Sequence, residues 1–246
     1  AESENPLFVD ANNIIGELYE RLGQEIVAGF FPIDHTHTSA DGANVNARCV
    51  VAGLRGLAEN PLEPYLNELG RAIPPARLEA LEATQATARP YRALLPADDD
   101  PPLPPPAEGP RPPRPTPGTL HDGFDPELPT VWLVGDSTVR NARDDGIDGL
   151  WGWGNPIRHF FDTSRINVEN QALGGTSSRT FRTAGFWNNV LQHVKPGDFV
   201  VIQFGHNDGG GPLEGEGARR SLPGIGDETA EAAMPGGVTE TVHTYG

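Results

Sequence analysis

Eleven of the chain's 25 prolines fall between Pro96 and Pro117, in the run PADDDPPLPPPAEGPRPPRPTP. Each proline fixes φ and removes a backbone donor, so neither a helix nor a sheet strand can cross this run. It also lacks the apolar side chains to fold on itself, and it is expected as an extended polyproline-type linker rising about 3.1 Å per residue. The 246 residues therefore divide into a segment 1–57, a connector 58–129 and a segment 130–246. Within the connector, ARLEALEATQATA (76–88) is rich in helix formers and lies between Pro75 and Pro90, which predicts a short solvated helix.

Charge and cysteine content exclude several classes. With 34 acidic against 18 basic side chains the net charge is −16, spread over all three segments. Such a surface repels phosphate backbones and anionic membranes, so nucleic acid and membrane are poor partners. Cys49 is the single cysteine, which excludes an internal disulfide and a thiolate metal cage. No apolar run approaches the roughly 18 residues of a membrane helix. Residue 1 is Ala and Met234 is the single methionine, so an initiator or signal peptide is expected to lie outside this sequence, as part of something longer.

The third segment opens with PTVWLVGDST, a buried-strand pattern running into Gly135-Asp136-Ser137. Further strands are predicted around Ile166 to Leu173 and over Asp198 to Phe204, with a helix from Phe186 to Val194 between them. In the first segment LFVDANN (7–13) reads as a short strand. It leads into a helix with Ile14, Leu18, Leu22 and Ile26 at helical spacing, then the polar run DHTHTSADG, then a helix from about Asp41 to Leu57. Alternation of strand and helix indicates an α/β fold with a parallel sheet covered on both faces.

Four motifs carry chemistry, and each has an ordinary reading beside the chemical one. Ser137 follows a strand in GDST, where it is either a reactive hydroxyl or a helix N-cap. Asp34 and His37 stand three residues apart in DHTH, close enough for a shared site, or simply in a polar turn. Asn207 follows a strand in GHND, and Gly175 lies in NQALGGTSSRTF; both residue types are also common in turns. Together they supply a hydroxyl nucleophile, a base with its orienting acid, and oxyanion donors, the inventory for acyl transfer.

The GDST, Gly175, GHND and DHTH strings resemble the four sequence blocks of SGNH (GDSL-type) hydrolases. Within that superfamily VGDSTVRN, LWGWGNP, NQALGGTSSRTF, QFGHNDGG and PIDHTHTSADGA look like rhamnogalacturonan acetylesterases. The resemblance covers residues 5–57 and 130–246. It implies a three-layer α/β/α flavodoxin-like sheet and a Ser-His-Asp esterase with no metal or other cofactor, acting on an acetylated polysaccharide or oligosaccharide. By position, Ser137 would be the nucleophile, His37 the general base and Asp34 its acid partner. The oxyanion hole would comprise the N–H of Ser137, the N–H of Gly175 and the side-chain amide of Asn207.

The order of the blocks departs from the family pattern, because Asp34 and His37 precede Ser137. Order alone is harmless, since a triad is defined by geometry. The resemblance also implies a 2-1-3-4-5 sheet whose fourth strand, with a helix, this sequence lacks. The fold is therefore expected to be permuted or incomplete. Either residues 1–57 end one esterase copy and 130–246 begin the next, or the LFVD strand pairs directly beside the third. Trp151 and Trp153 could stack on a sugar or plug the core; Arg179 and Arg182 could meet a uronate or form ordinary ion pairs. Reading His35, His37, His206 and Asp208 as metal ligands leaves Ser137 and Asn207 without a role. The alternatives in function are an SGNH esterase or lipase for other acyl groups, and a non-catalytic module that keeps the blocks.

Overall fold

The computed structural model describes residues 6–76, 94, 115–141 and 149–245. The helix expected over 76–88, beyond Ala76, and the proline run as far as Arg114 lie outside the described residues. The chain divides into two compact units, Ala1–Pro106 with Gly146–Ile166 and Ala107–Asp145 with Asn167–Gly246.

The first unit is helical. α1 (Ala11–Leu22) is capped by the Asp10 carboxylate, which accepts from the Asn13 N–H at 3.1 Å. It buries Ile14 and Leu18. Gly23, at φ +78°, stops it one turn short of Ile26, and α2 (Gln24–Ala28) follows separately. α3 (Ala40–Gly56) starts at Ser39, whose hydroxyl accepts from the Gly42 N–H. It is the unit's centre: Val45, Ala47, Cys49, Val51 and Ala52 are fully buried. Burial of Cys49 pushes its thiol up to about 12, so this cysteine is a core residue and not a nucleophile. α4 (Glu68–Ala72) is capped by Asn67, whose amide also donates to the His159 carbonyl at 2.7 Å. That bond ties it to a 3-10 turn, Pro156–Phe160. The Arg48 guanidinium lies 5.4 Å from the centre of the Phe160 ring.

The strand expected at LFVD is absent. Residues 7–10 form no strand, and Leu7 and Phe8 are 57% and 77% exposed. A strand exists only by pairing, and here Asp10 gives its side chain to the helix start instead.

The second unit holds a parallel sheet. β1 (Thr130–Gly135) is buried along its whole length and lies between β2 (Asn167–Asn170) and β3 (Phe199–Gln203), in the order β2-β1-β3. This order is the first three positions of the expected doubly wound sheet, and the chain has the α/β fold. The connection from β2 to β3 carries α5 (Ser178–Thr183) and α6 (Phe186–Leu191). Trp132, Val134, Leu173, Phe181 and Val190 form the core beneath them. The Trp132 indole N–H donates to the Asp198 carboxylate at 2.9 Å, and the other oxygen of that carboxylate takes the Thr130 N–H.

The ends of the connector are built into these units. Residues 63–72 carry a 3-10 turn and α4 in the first. In the second, the Gly118 N–H donates to Gln171 Oε1 and the Asp125 N–H to Asn167 Oδ1, so residues 118–125 lie along β2. Glu169, 2% exposed, sits between the His121 ring and the Gln171 amide. A hairpin that hydrophobic alternation did not announce, β4 (Thr229–Met234) and β5 (Val238–His243), completes the unit. Its turn runs through Gly236 and Gly237, both at positive φ.

Candidate active site

In the second unit Ser137, Gly175 and Asn207 stand in the loops that follow β1, β2 and β3 at the carboxyl edge of the sheet, where parallel sheets present reactive groups. The GDS turn is held by Asp136, which is 1% exposed. Its Oδ1 accepts from the Thr138 N–H at 2.9 Å and the Thr138 hydroxyl at 2.8 Å. The Gln203 amide, from the end of β3, donates to that same hydroxyl at 2.9 Å. Gly135 packs so closely on β3 that a Cβ there would stand 2.4 Å from the Gln203 carbonyl oxygen. Ser137 itself is 6% exposed. Within its own unit, among the described residues, its hydroxyl makes no hydrogen bond.

Gly175 is exposed and adopts φ +88°, with open space around a would-be Cβ. The glycine is required by the backbone conformation and not by crowding. Asn207 is 5% exposed, and its Nδ2 donates to the Thr176 carbonyl at 2.8 Å. One amide hydrogen is thereby fixed and the other remains for a ligand. The Gly175 loop and the Asn207 loop are thus bonded directly to each other.

In the first unit Asp34 and His37 form a closed pair. Asp34 Oδ1 accepts the N–H groups of Thr36 at 2.7 Å and His37 at 2.8 Å, and its Oδ2 lies 2.7 Å from His37 Nδ1. The His37 ring bond, aided by the two backbone bonds, holds the Asp34 carboxyl far below the usual carboxylate range. A carboxylate only accepts, so Nδ1 carries the hydrogen and Nε2 presents its lone pair. The loop is clamped on either side. The Ser39 N–H donates to the Phe30 carbonyl at 2.7 Å, and Thr38 pairs with Trp151 through N–H···O at 2.8 Å and a hydroxyl bond at 2.9 Å.

Two residues expected to meet substrate are otherwise engaged. Arg179 is 4% exposed; its Nε and Nη2 donate to the two Glu240 oxygens, each at 2.8 Å. Its Nη1 donates to the Leu213 and Arg220 carbonyls at 2.9 and 2.8 Å. A guanidinium so saturated fastens α5 to the β4–β5 hairpin and leaves no donor fork for a uronate. Trp153 is 4% exposed and buried in the first unit, where its ring has no open face for stacking on a sugar.

Residue types alone offer Asp208 only a metal-ligand reading. It is 4% exposed and accepts from four donors on three stretches of chain. The signal available was its place beside Asn207 in GHND.

No family model matches the chain. A rhamnogalacturonan acetylesterase from Emericella nidulans is 40% identical over 116 residues, 47% of this chain and 42% of that protein. Bacillus subtilis contributes the uncharacterized esterase YxiM, 38% identical over 32% of this chain and 21% of that protein. Its rhamnogalacturonan acetylesterase RhgT is 37% identical over 32% of this chain and 33% of RhgT. A crystal structure of YxiM aligns over 33% of this chain and 23% of its own, with 31% identity and a TM-score of 0.28. The chain spans less than half the length of these curated relatives. Over the matched part of its length, the chain is homologous to proteins named as esterases.

Proposed function

We propose that the chain is a serine esterase that removes O-acetyl groups from a pectic, rhamnogalacturonan-like polysaccharide. Ser137 is the nucleophile, His37 the general base and Asp34 the residue that orients it. The observation that carries this reading is the Asp34–His37 pair, an imidazole whose Nδ1 is fixed by a carboxylate at 2.7 Å and whose Nε2 is left as an acceptor. The names of the homologues support the ester and the sugar.

The reaction has two halves. Ser137 Oγ attacks the acetyl carbonyl carbon while His37 Nε2 takes the hydroxyl proton, because a serine hydroxyl is a weak nucleophile until a base accepts that proton. The carbonyl oxygen becomes an oxyanion that receives hydrogen bonds from the N–H groups of Ser137 and Gly175 and from the Asn207 amide. Collapse breaks the bond to the sugar oxygen, which leaves with the proton held on His37. Water then adds to the acetyl-serine while His37 takes one of its protons; collapse breaks the bond to Ser137 Oγ, which takes that proton back from His37, and acetic acid departs and ionises to acetate. Asp34 stabilises the imidazolium in each half without itself taking the proton. The net charge of −16 slows approach to a polyuronate, so rates on polymer should rise with ionic strength.

A serine-reactive phosphonate tests the nucleophile. Mass spectrometry should find the adduct on Ser137 and none in Ser137→Ala; labelling elsewhere, or none, ends the triad reading. Acetate release from acetylated rhamnogalacturonan, set against a synthetic acetyl ester, tests the substrate. Mixing Ser137→Ala with His37→Ala chains separates the ways a site can be completed. Recovered turnover means that nucleophile and base come from different copies; continued inactivity means that one chain supplies both.

A further inference from the structure

We propose that Asp208 is a positioning residue that sets the distance between the Asn207 amide and the Gly175 N–H. This rests on the esterase reading above. Asp208 is 4% exposed and has no cation beside it among the described residues. Its carboxylate is satisfied instead by neutral donors from three separate loops. Oδ1 accepts from the Ser178 hydroxyl at 2.5 Å, the Ser178 N–H at 3.1 Å and the Ser221 hydroxyl at 2.8 Å. Oδ2 accepts from the Gly205 N–H at 3.1 Å and shares the Ser178 N–H at 3.2 Å. The Asp208 carbonyl also receives the Ser221 N–H at 3.0 Å.

The topology of these bonds makes the argument. Gly205 begins the loop that carries Asn207. Ser178 is the first residue of α5 and ends the loop that carries Gly175 and Thr176. Two ties therefore cross between the oxyanion loops: the Asn207 amide to the Thr176 carbonyl at 2.8 Å, and Asp208 to Ser178. One tie alone is a hinge, whereas two at different residues hold both spacing and rotation. Oxyanion donors act only if they are aimed where the negative oxygen forms, so a small rotation of the Asn207 loop costs rate and leaves ground-state binding untouched. An amide in place of the carboxylate removes the charge and turns an NH₂ group either against the Gly205 N–H or toward serine hydroxyls that must then accept, which weakens the second tie at constant size.

The test is Asp208→Asn in the full chain. With an acetyl ester substrate, kcat should fall about 10- to 100-fold with KM within about twofold. Made in an Asn207→Ala background, the same substitution should cost less than about threefold, because the spacing it controls no longer has a second donor. An equal loss in both backgrounds overturns the proposal. Ser221→Ala removes a single donor, so a smaller loss in the same direction is expected from it should Asp208→Asn not fold. A readout independent of turnover is the NMR position of the Asn207 side-chain amide and the Gly175 N–H. Both should move in the folded variants; unmoved signals overturn the proposal. Absence of Ser137-dependent turnover in the unmodified chain defeats the esterase reading, and the NMR measurement still decides the role of Asp208.

Discussion

Asp34 holds His37 at two points, through the backbone N–H at 2.8 Å and through ring Nδ1 at 2.7 Å. Position and tautomer of the imidazole are thus fixed by one carboxylate three residues away. A carboxylate tied to its partner only by the ring would leave the backbone free to swing. Here the loop's own turn and the imidazole's orientation are the same set of bonds.

The lowered Asp34 carboxyl makes a statement about acid stability. Its folded value lies below the unfolded value of about 3.9, so its contribution is complete above that value and drains as the pH falls through the folded one. Urea midpoints of the unmodified chain and Asp34→Asn should differ at pH 5. The gap should narrow progressively as the pH falls below about 4. A gap that stays undiminished down to about pH 2 would contradict the assignment.

Asn207→Ala removes the third of the oxyanion donors proposed above. Donors of this kind are worth roughly 3 to 4 kcal/mol, so kcat for acetate release should fall about 100-fold or more while KM changes little. An effect confined to KM would move Asn207 from the transition state to substrate binding.

Arg179→Ala should act on stability. It strands Glu240, whose carboxyl is held below its usual range first by the hydrogen bond from Arg179. Arg179 is buried and Glu240 only partly so, and losing the pair together with the guanidinium's bonds to the Leu213 and Arg220 carbonyls should cost about 1 to 3 kcal/mol. Denaturant titration should show that loss, with KM for acetylated oligosaccharide unchanged at temperatures where the variant is folded. A selective rise in KM for acidic substrates would restore the uronate role.

Gly42→Ala sets two effects against each other. Alanine favours a helix over glycine by about 1 kcal/mol. The new Cβ would meet Phe30 Cβ at 2.8 Å and Thr38 Cβ at 3.0 Å, an overpacking cost of about 1 to 3 kcal/mol. The contact wins because Phe30 and Thr38 are bonded into the clamps around the Asp34–His37 loop. The urea midpoint should drop, and acetate release should fall several-fold more than in an Ala substitution at exposed Gly209.

β2 (NVEN) is a short stretch of mostly polar residues and its limits were not legible, whereas β1 and β3 were, because each is an apolar run ending in a turn. LFVD has the same look and forms no strand, since pairing depends on a neighbour that composition does not reveal. The β4–β5 hairpin was not legible because TAEAAM carries almost no β-branched side chains, so VTETVH, which is rich in them, has no evident partner in the sequence; the strands are joined at the Gly-Gly turn, and Arg179 grips Glu240. Spacing puts Asp34 and His37 within reach of each other. The fate of Arg179 was hidden, because its partner stands 61 residues away in sequence.

β3 pairs with β1 on one side, and among the described residues no strand pairs on its other side. It carries no charge along Phe199–Gln203, and Val200 and Ile202 are 37% and 59% exposed. Natural sheets usually blunt such a margin with lysine, proline or a bulge. Two apolar side chains held out to solvent on an uncharged strand give the second unit a tacky spot, so its elution from a sizing column should shift with protein concentration.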